Sequence, residues 1–180
     1  MVDLVEEEKF WEFVATQNTY VQHKPNGDKL KKEFRFSRFN DEGTIGELAK
    51  LGSPRLELRD SPTGYFSTNG GGYHWDNMSR TFRIIGKSVM NDFADKKQIQ
   101  NDCKKAVEEI IRYIIQEQES GELCANHIIK MFETNNVKYD VIANASSDGS
   151  YAGCECTVKF KATIKPATVN YGTFTYPGES

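Results

Sequence analysis

The sequence predicts an α+β fold with a mostly antiparallel sheet of about four strands, and three stretches carry that reading. In the first, Ala152, Cys154, Cys156, Val158, Phe160, Ala162 and Ile164 alternate with Glu155, Thr157, Lys159, Lys161, Thr163 and Lys165. That is the period of two expected of a half-buried strand. It runs over more than a dozen residues, where ~5–6 is usual, so the strand is expected to project past its sheet and meet a neighbour. The second stretch, about 95–119, places Ile99, Cys103, Ala106, Val107, Ile110, Ile111, Ile114 and Ile115 on one wide helical face, with lysines and acids on the other. The third is Ser147-Asp148-Gly149-Ser150, where Asp-Gly marks a hairpin turn between the long strand and an alternating run at 137–144.

The remaining elements follow in chain order. Residues 3–16 read as an amphipathic helix, with Leu4, Val5, Trp11 and Val14 near helical spacing and acids in the first turn, where the helix dipole favours them. Pro25-Asn26-Gly27 signals a turn, and the basic stretch 29–38, with Phe34 and Phe36 and then Phe39, reads as a short extended segment or arm. A helix is expected over 41–51, capped by Asp41 and ended by Gly52. Residues 54–60 read as a strand with Leu56 and Leu58 on one face and Arg55, Glu57 and Arg59 on the other. Residues 61–77, with Gly70-Gly71-Gly72, read as a long loop, 80–89 as a strand and 123–133 as a second, shorter helix. Pro166 ends the long strand and leaves a polar, aromatic tail over 167–180.

At 180 residues the chain suits one domain over 1–180, long enough to bury a core without staples. A net charge of -3 and a pI of about 5.7 argue against the whole chain being an electrostatic magnet for nucleic acid or acidic lipid. The acidic start, Asp3 and Glu6 to Glu8, is unlike a secretory signal, and no apolar run approaches the ~20 residues a membrane helix needs. Cytoplasmic synthesis is therefore expected, and no membrane partner.

Few residues offer a case for chemistry. Gly86-Lys87-Ser88 resembles the end of a phosphate-binding loop, but position 81 is Thr where the first glycine belongs, and residues 82–85 read as strand. Cys103, Cys124, Cys154 and Cys156 lack knuckle spacing and three lie on apolar faces, as small hydrophobes do. The three histidines show no paired spacing; His74 with Asp76 is the one pair with acid–base potential, in a loop better suited to contacts. The basic 29–38 stretch is a candidate nucleic-acid contact, outweighed by the acidic whole.

The element order, helix, strand, strand, long helix, strand, strand, resembles that of the tail-terminator, tail-completion and neck (head-tail connector) proteins of tailed bacteriophages. The resemblance lies in the β pair 54–60 and 80–89, the helix 95–119 and the closing hairpin 137–165. The segment 20–40, the helix 123–133 and the tail 167–180 lie outside the simplest version of that pattern. The resemblance implies a sheet with its long helix packed on one face. It also implies ring formation by copies of the chain, sixfold or twelvefold, with portal, connector or tail-tube proteins as further partners in the virion. No cofactor, metal or catalytic residue is implied. Partner contacts are expected at Phe34, Arg35, Phe36 and Arg38 in the arm, at Tyr65, Phe66, Tyr73, His74 and Trp75 in the 61–77 loop, and at Tyr171, Phe174 and Tyr176 in the tail. A small-molecule- or peptide-binding module, or an enzyme, using the 61–77 loop is the competing expectation.

Overall fold

A computed structural model describes residues 2–28, 30–39, 51–68, 74–120, 127–146 and 148–164. Helix α1 (Leu4–Gln17) starts at Asp3, whose carboxylate accepts from the Val5 and Glu6 amides and so satisfies two of the donors that a helix start leaves unpaired. Six strands follow: β1 (Phe36–Phe39), β2 (Arg55–Arg59), β3 (Thr63–Thr68), β4 (His74–Lys87), β5 (Lys138–Ile142) and β6 (Tyr151–Ile164). Between β4 and β5 lie the long α2 (Phe93–Glu119), the one-turn α3 (His127–Lys130) and a 3-10 turn at Thr134–Asn136. Asp92 caps α2 through the Ala94 and Asp95 amides.

The six strands form one mixed sheet in the order β1-β2-β4-β6-β5, with β3 also paired to β4. The α+β class matches the sequence reading; the size and sense of the sheet differ from it. Six strands replace about four, and β1 runs parallel to β2, Phe36 opposite Leu56 and Phe39 opposite Arg59. A parallel pair needs a crossover of a dozen or more residues, and the stretch between Phe39 and Arg55 has that length. The helix expected over 41–51 falls almost wholly outside the described residues.

Strands β4 and β6 form the spine. They pair antiparallel over all fourteen residues of each, from His74 opposite Ile164 to Lys87 opposite Tyr151. Even-numbered residues of β4 and β6 face the helices: Phe82, Ile84, Cys154, Cys156, Val158 and Phe160 join Leu56 and Leu58 of β2 in one buried cluster. The same cluster takes in Phe10, Trp11 and Val14 of α1 and Cys103, Ala106, Val107, Ile110 and Ile114 of α2. Both helices therefore pack on one face. The Trp11 and Phe82 rings meet with centroids 4.5 Å apart, a separation typical of favourable aromatic pairs.

Across the sheet, on the face turned away from α1 and α2, Arg55 and Glu57 are both fully buried. Glu57 accepts from Arg55 Nε (2.6 Å) and from Arg83 Nε (2.7 Å), so its two oxygens serve two cations. The Arg83 guanidinium also lies over the Phe39 ring at 3.9 Å, and that of Arg55 over Tyr151 at 4.6 Å. The alternation in β2 thus holds as read, but its charged face is a buried ionic layer.

The segment 20–40 is likewise no loose arm where it is described. His23 is buried, Phe36 and Phe39 are buried, and β1 is hydrogen-bonded into the sheet. His23 Nδ1 accepts the Arg35 amide proton (2.9 Å) while Nε2 lies 3.3 Å from a Glu12 carboxylate oxygen. That pairing fixes the tautomer with the proton on Nε2. The loop expected over 61–77 is also revised: 63–68 is β3, and β4 begins at His74, six residues before the start read from the sequence. The short helix expected over 123–133 is described only from His127, as a single turn.

Candidate interaction site

Among the described strand residues the two most exposed large hydrophobic side chains, Phe66 and Tyr65, lie in the ribbon of β3 and the first half of β4. Strand β2 covers β4 only over Phe82–Ile85, and β3 takes the same side of β4 over His74–Ser79. Strand β3 is held by backbone pairing and by Asn77, whose side-chain amide donates to Ser67 Oγ (2.8 Å) and to the Tyr65 carbonyl (3.2 Å). Five of its six residues are exposed. Tyr65 is 63% and Phe66 72% exposed, and being neighbours on a strand they point to opposite faces. Both faces of the ribbon therefore offer an aromatic ring to solvent, while the sequence of β3, Thr-Gly-Tyr-Phe-Ser-Thr, carries no charge.

The other expected contact residues are placed less uniformly. His74 is exposed at the start of β4. Trp75 is half-buried, with Lys161 Nζ 4.6 Å from the ring centroid. Asp76, the residue paired with His74 in the acid–base reading, accepts the Val2 amide proton through Oδ2 (3.0 Å). Arg38 is half-exposed and forms a two-pronged pair with Glu8 of α1. Phe34 stands edge-on to His23, ring centroids 4.7 Å apart, and the Arg35 guanidinium donates to the Val21 carbonyl (3.0 Å). Phe36, only 6% exposed, belongs to the core instead of a surface. Tyr73, Tyr171, Phe174 and Tyr176 lie outside the described residues.

A second apolar surface was not foreseen. Val89, Met90 and Phe93, at the turn from β4 into α2, are 62%, 59% and 80% exposed. The turn is tied by the Val89 amide to Asp95 Oδ2 (2.7 Å) and by the Asp92 amide to the Val89 carbonyl (3.2 Å). In the sequence Ser88 and Val89 read as the end of the 80–89 strand and Met90 and Phe93 carry no surface signal, because nothing local reveals which apolar residues stay exposed.

A cleft of about 400 Å³ opens elsewhere, between Tyr20, Lys32, Arg35, Lys87, Ile99 and Tyr151. Gly86 and Lys87 at its wall belong to β4, so the Gly-Lys-Ser triplet presents no phosphate-cradling loop. Cys103, Cys154 and Cys156 are buried and free of disulfides; burial pushes their thiols up to about 12, 11 and 12. Such thiols are inert packing groups, and among the described residues no cluster of three metal-ligating side chains occurs. No described helix is long and apolar enough to cross a membrane.

No protein-family model matches the chain, and no curated protein matches it.

Proposed function

We propose that the chain is a structural subunit that acts by protein–protein assembly, forming a ring in the neck or tail of a bacteriophage virion. The observation that carries this reading is strand β3 of the β3–β4 ribbon, which has no charged residue and leaves Tyr65 and Phe66 bare on opposite faces. Exposed aromatic residues are what interface cores are enriched in. The open, strand-built edge suits a neighbour better than a small ligand, which prefers a concave site. The α+β sheet with both helices on one face is compatible with the tail-terminator and connector resemblance. Copies of the chain, in sixfold or twelvefold number, are the first partners in this reading, and portal, connector or tail-tube proteins the next.

Native mass spectrometry from roughly micromolar to hundred-micromolar protein tests the reading, because ring closure follows mass action. A discrete closed oligomer, six or twelve copies, is the expected result. A chain that stays monomeric throughout, alone and with a phage tail-tube or portal preparation, would sink it.

A further inference from the structure

We infer that the outer edge of β3 accepts an added strand, and that the strand is residues 167–176 of a second copy of the chain. The inference deepens the assembly reading above and rests on it.

An edge strand presents a row of backbone N–H and C=O groups able to template another chain, and proteins blunt such edges with lysine, proline or a covering element. Over Thr63–Ser67 there is no charge and no proline, and among the described residues no strand pairs with the outer side. Strand β1 occupies the corresponding edge beside β2 but ends with Phe39 opposite Arg59. Among the described residues the row is therefore unpaired where β3 begins. The five strand residues Thr63–Ser67 make an edge of about 17 Å.

The chain runs on for sixteen residues past Ile164. From Pro166 to Gly178 it holds no charged residue, in a protein of which 27% is charged. Seven of the nine residues from Thr168 to Tyr176 are β-branched or aromatic, the residues that favour strands. Extended, nine residues reach about 30 Å, enough to cover β3 along its length. Both partners are thus uncharged and rich in strand-forming residues, and the tail is long enough to span the edge.

The origin of β6 and β3 assigns the tail to a neighbour. Ile164 lies opposite His74, so the chain leaves the sheet at the ribbon's tip with β4 between it and β3. To reach its own β3 the tail would have to pass around the tip, beyond the β3–β4 connection, and reverse. A neighbour's tail needs no reversal. Each copy then gives a strand at one place and receives one at another, a heterologous contact that propagates into a ring or a filament. Main-chain bonds would supply the affinity and the Tyr65 and Phe66 side chains the selectivity.

Hydrogen exchange on the full chain, on a chain lacking 167–180, and on that shortened chain with a synthetic 166–178 peptide tests the idea. The shortened chain is first checked for an unchanged thermal melt. In the assembled full chain the 63–67 amides should exchange at least about tenfold more slowly than after dilution to monomer. Truncation should remove both assembly and that protection, and the peptide, but not a scrambled one, should restore the protection. Protection that is independent of concentration would assign the strand to the chain's own tail and overturn the inference. So would a ring whose 63–67 amides stay unprotected, or one that forms undiminished without the tail, although the ring reading would then stand. Dimers or open filaments with concentration-dependent protection at 63–67 would support strand exchange and reject the ring. A monomer that also ignores the peptide would end both.

Discussion

Arg80 of β4 is clasped by Glu7 of α1: its Nε and a terminal nitrogen each donate to a different Glu7 oxygen, and both side chains are buried. Trp11 Nε1 donates to the same carboxylate, and the other Arg80 nitrogen donates to the Arg59 carbonyl (2.7 Å). Burial pushes the Glu7 carboxyl above its ordinary range, against the pull of Arg80 and Trp11. One ionic contact thus ties the first helix to the central strand and to the end of β2.

Removing one side of that pair leaves a buried charge without its partner. Arg80→Met should cost about 3–5 kcal/mol. Glu7→Gln with Arg80→Met should recover most of the loss, since the amide oxygen still accepts from Trp11. Urea denaturation of the two single variants and the double variant measures the coupling. A coupling below about 0.5 kcal/mol would show that the pair is not acting as a unit.

His23 gives the fold a pH dependence. Burial lowers its pKa below 6.5, while Glu12 pulls the other way with smaller effect. The folded state therefore holds the neutral ring, whose Nδ1 must stay bare to accept the Arg35 amide. Above pH 6.5 both folded and unfolded chains carry neutral histidine and the stability is fully present. Below it the unfolded chain binds a proton that the folded chain resists, so stability falls until the depressed folded pKa is passed. The slope from this one proton is at most about 1.4 kcal/mol per pH unit. Melts from pH 8 to 5 should show this loss, and His23→Gln should lower the whole curve while flattening that part of it. An unchanged slope in the variant would remove His23 as its source.

Gly153 of β6 sits where no side chain fits. A Cβ there would press on the Ile84 carbonyl oxygen and stand 2.9 Å from the Ile85 Cα, both in the paired strand β4. Gly153→Ala must push β4 and β6 apart at the middle of the sheet, between β5 on one side and β2 on the other. A loss of about 1–3 kcal/mol in denaturation is expected. A neutral substitution would mean that the two strands separate freely at this point.

The elements that sequence made legible are those whose amphipathic pattern is local. Alternation in β6 and the 3.6-residue face of α2 each state which side is buried, and the Asp148-Gly149 turn states that β6 has an antiparallel partner. Strand β3 carries no such statement: Tyr65 and Phe66 are adjacent, both are exposed, and the run lies between a proline and a glycine tract. Its strand character comes from pairing with β4, which is a property of the sheet. The parallel β1–β2 pair escaped for a similar reason, because a crossover leaves no turn signal. Arg55 and Glu57 look like a solvent face until Arg83, twenty-six residues beyond Glu57, completes the cluster. At the candidate site, Tyr65, Phe66 and His74 were legible as exposed residues, whereas Phe36 was claimed by the core through β1.

The assembly reading makes a contrasting demand on Tyr65 and Phe66. A residue whose ring is mostly in water contributes little to folding, so Tyr65→Ser and Phe66→Ser should each change the stability of the isolated chain by no more than about 0.5 kcal/mol. If those rings are buried against a neighbour, the same changes remove interface anchors, and each should weaken assembly at least about tenfold, equivalent to about 1.4 kcal/mol. Denaturation and sedimentation on the same variants separate the two effects. Loss of folding stability alone would assign the rings to the ribbon's own structure, and loss of neither would move the interface elsewhere, with Val89, Met90 and Phe93 the next residues to change. Loss of association with folding intact is the pattern that a dedicated contact surface requires.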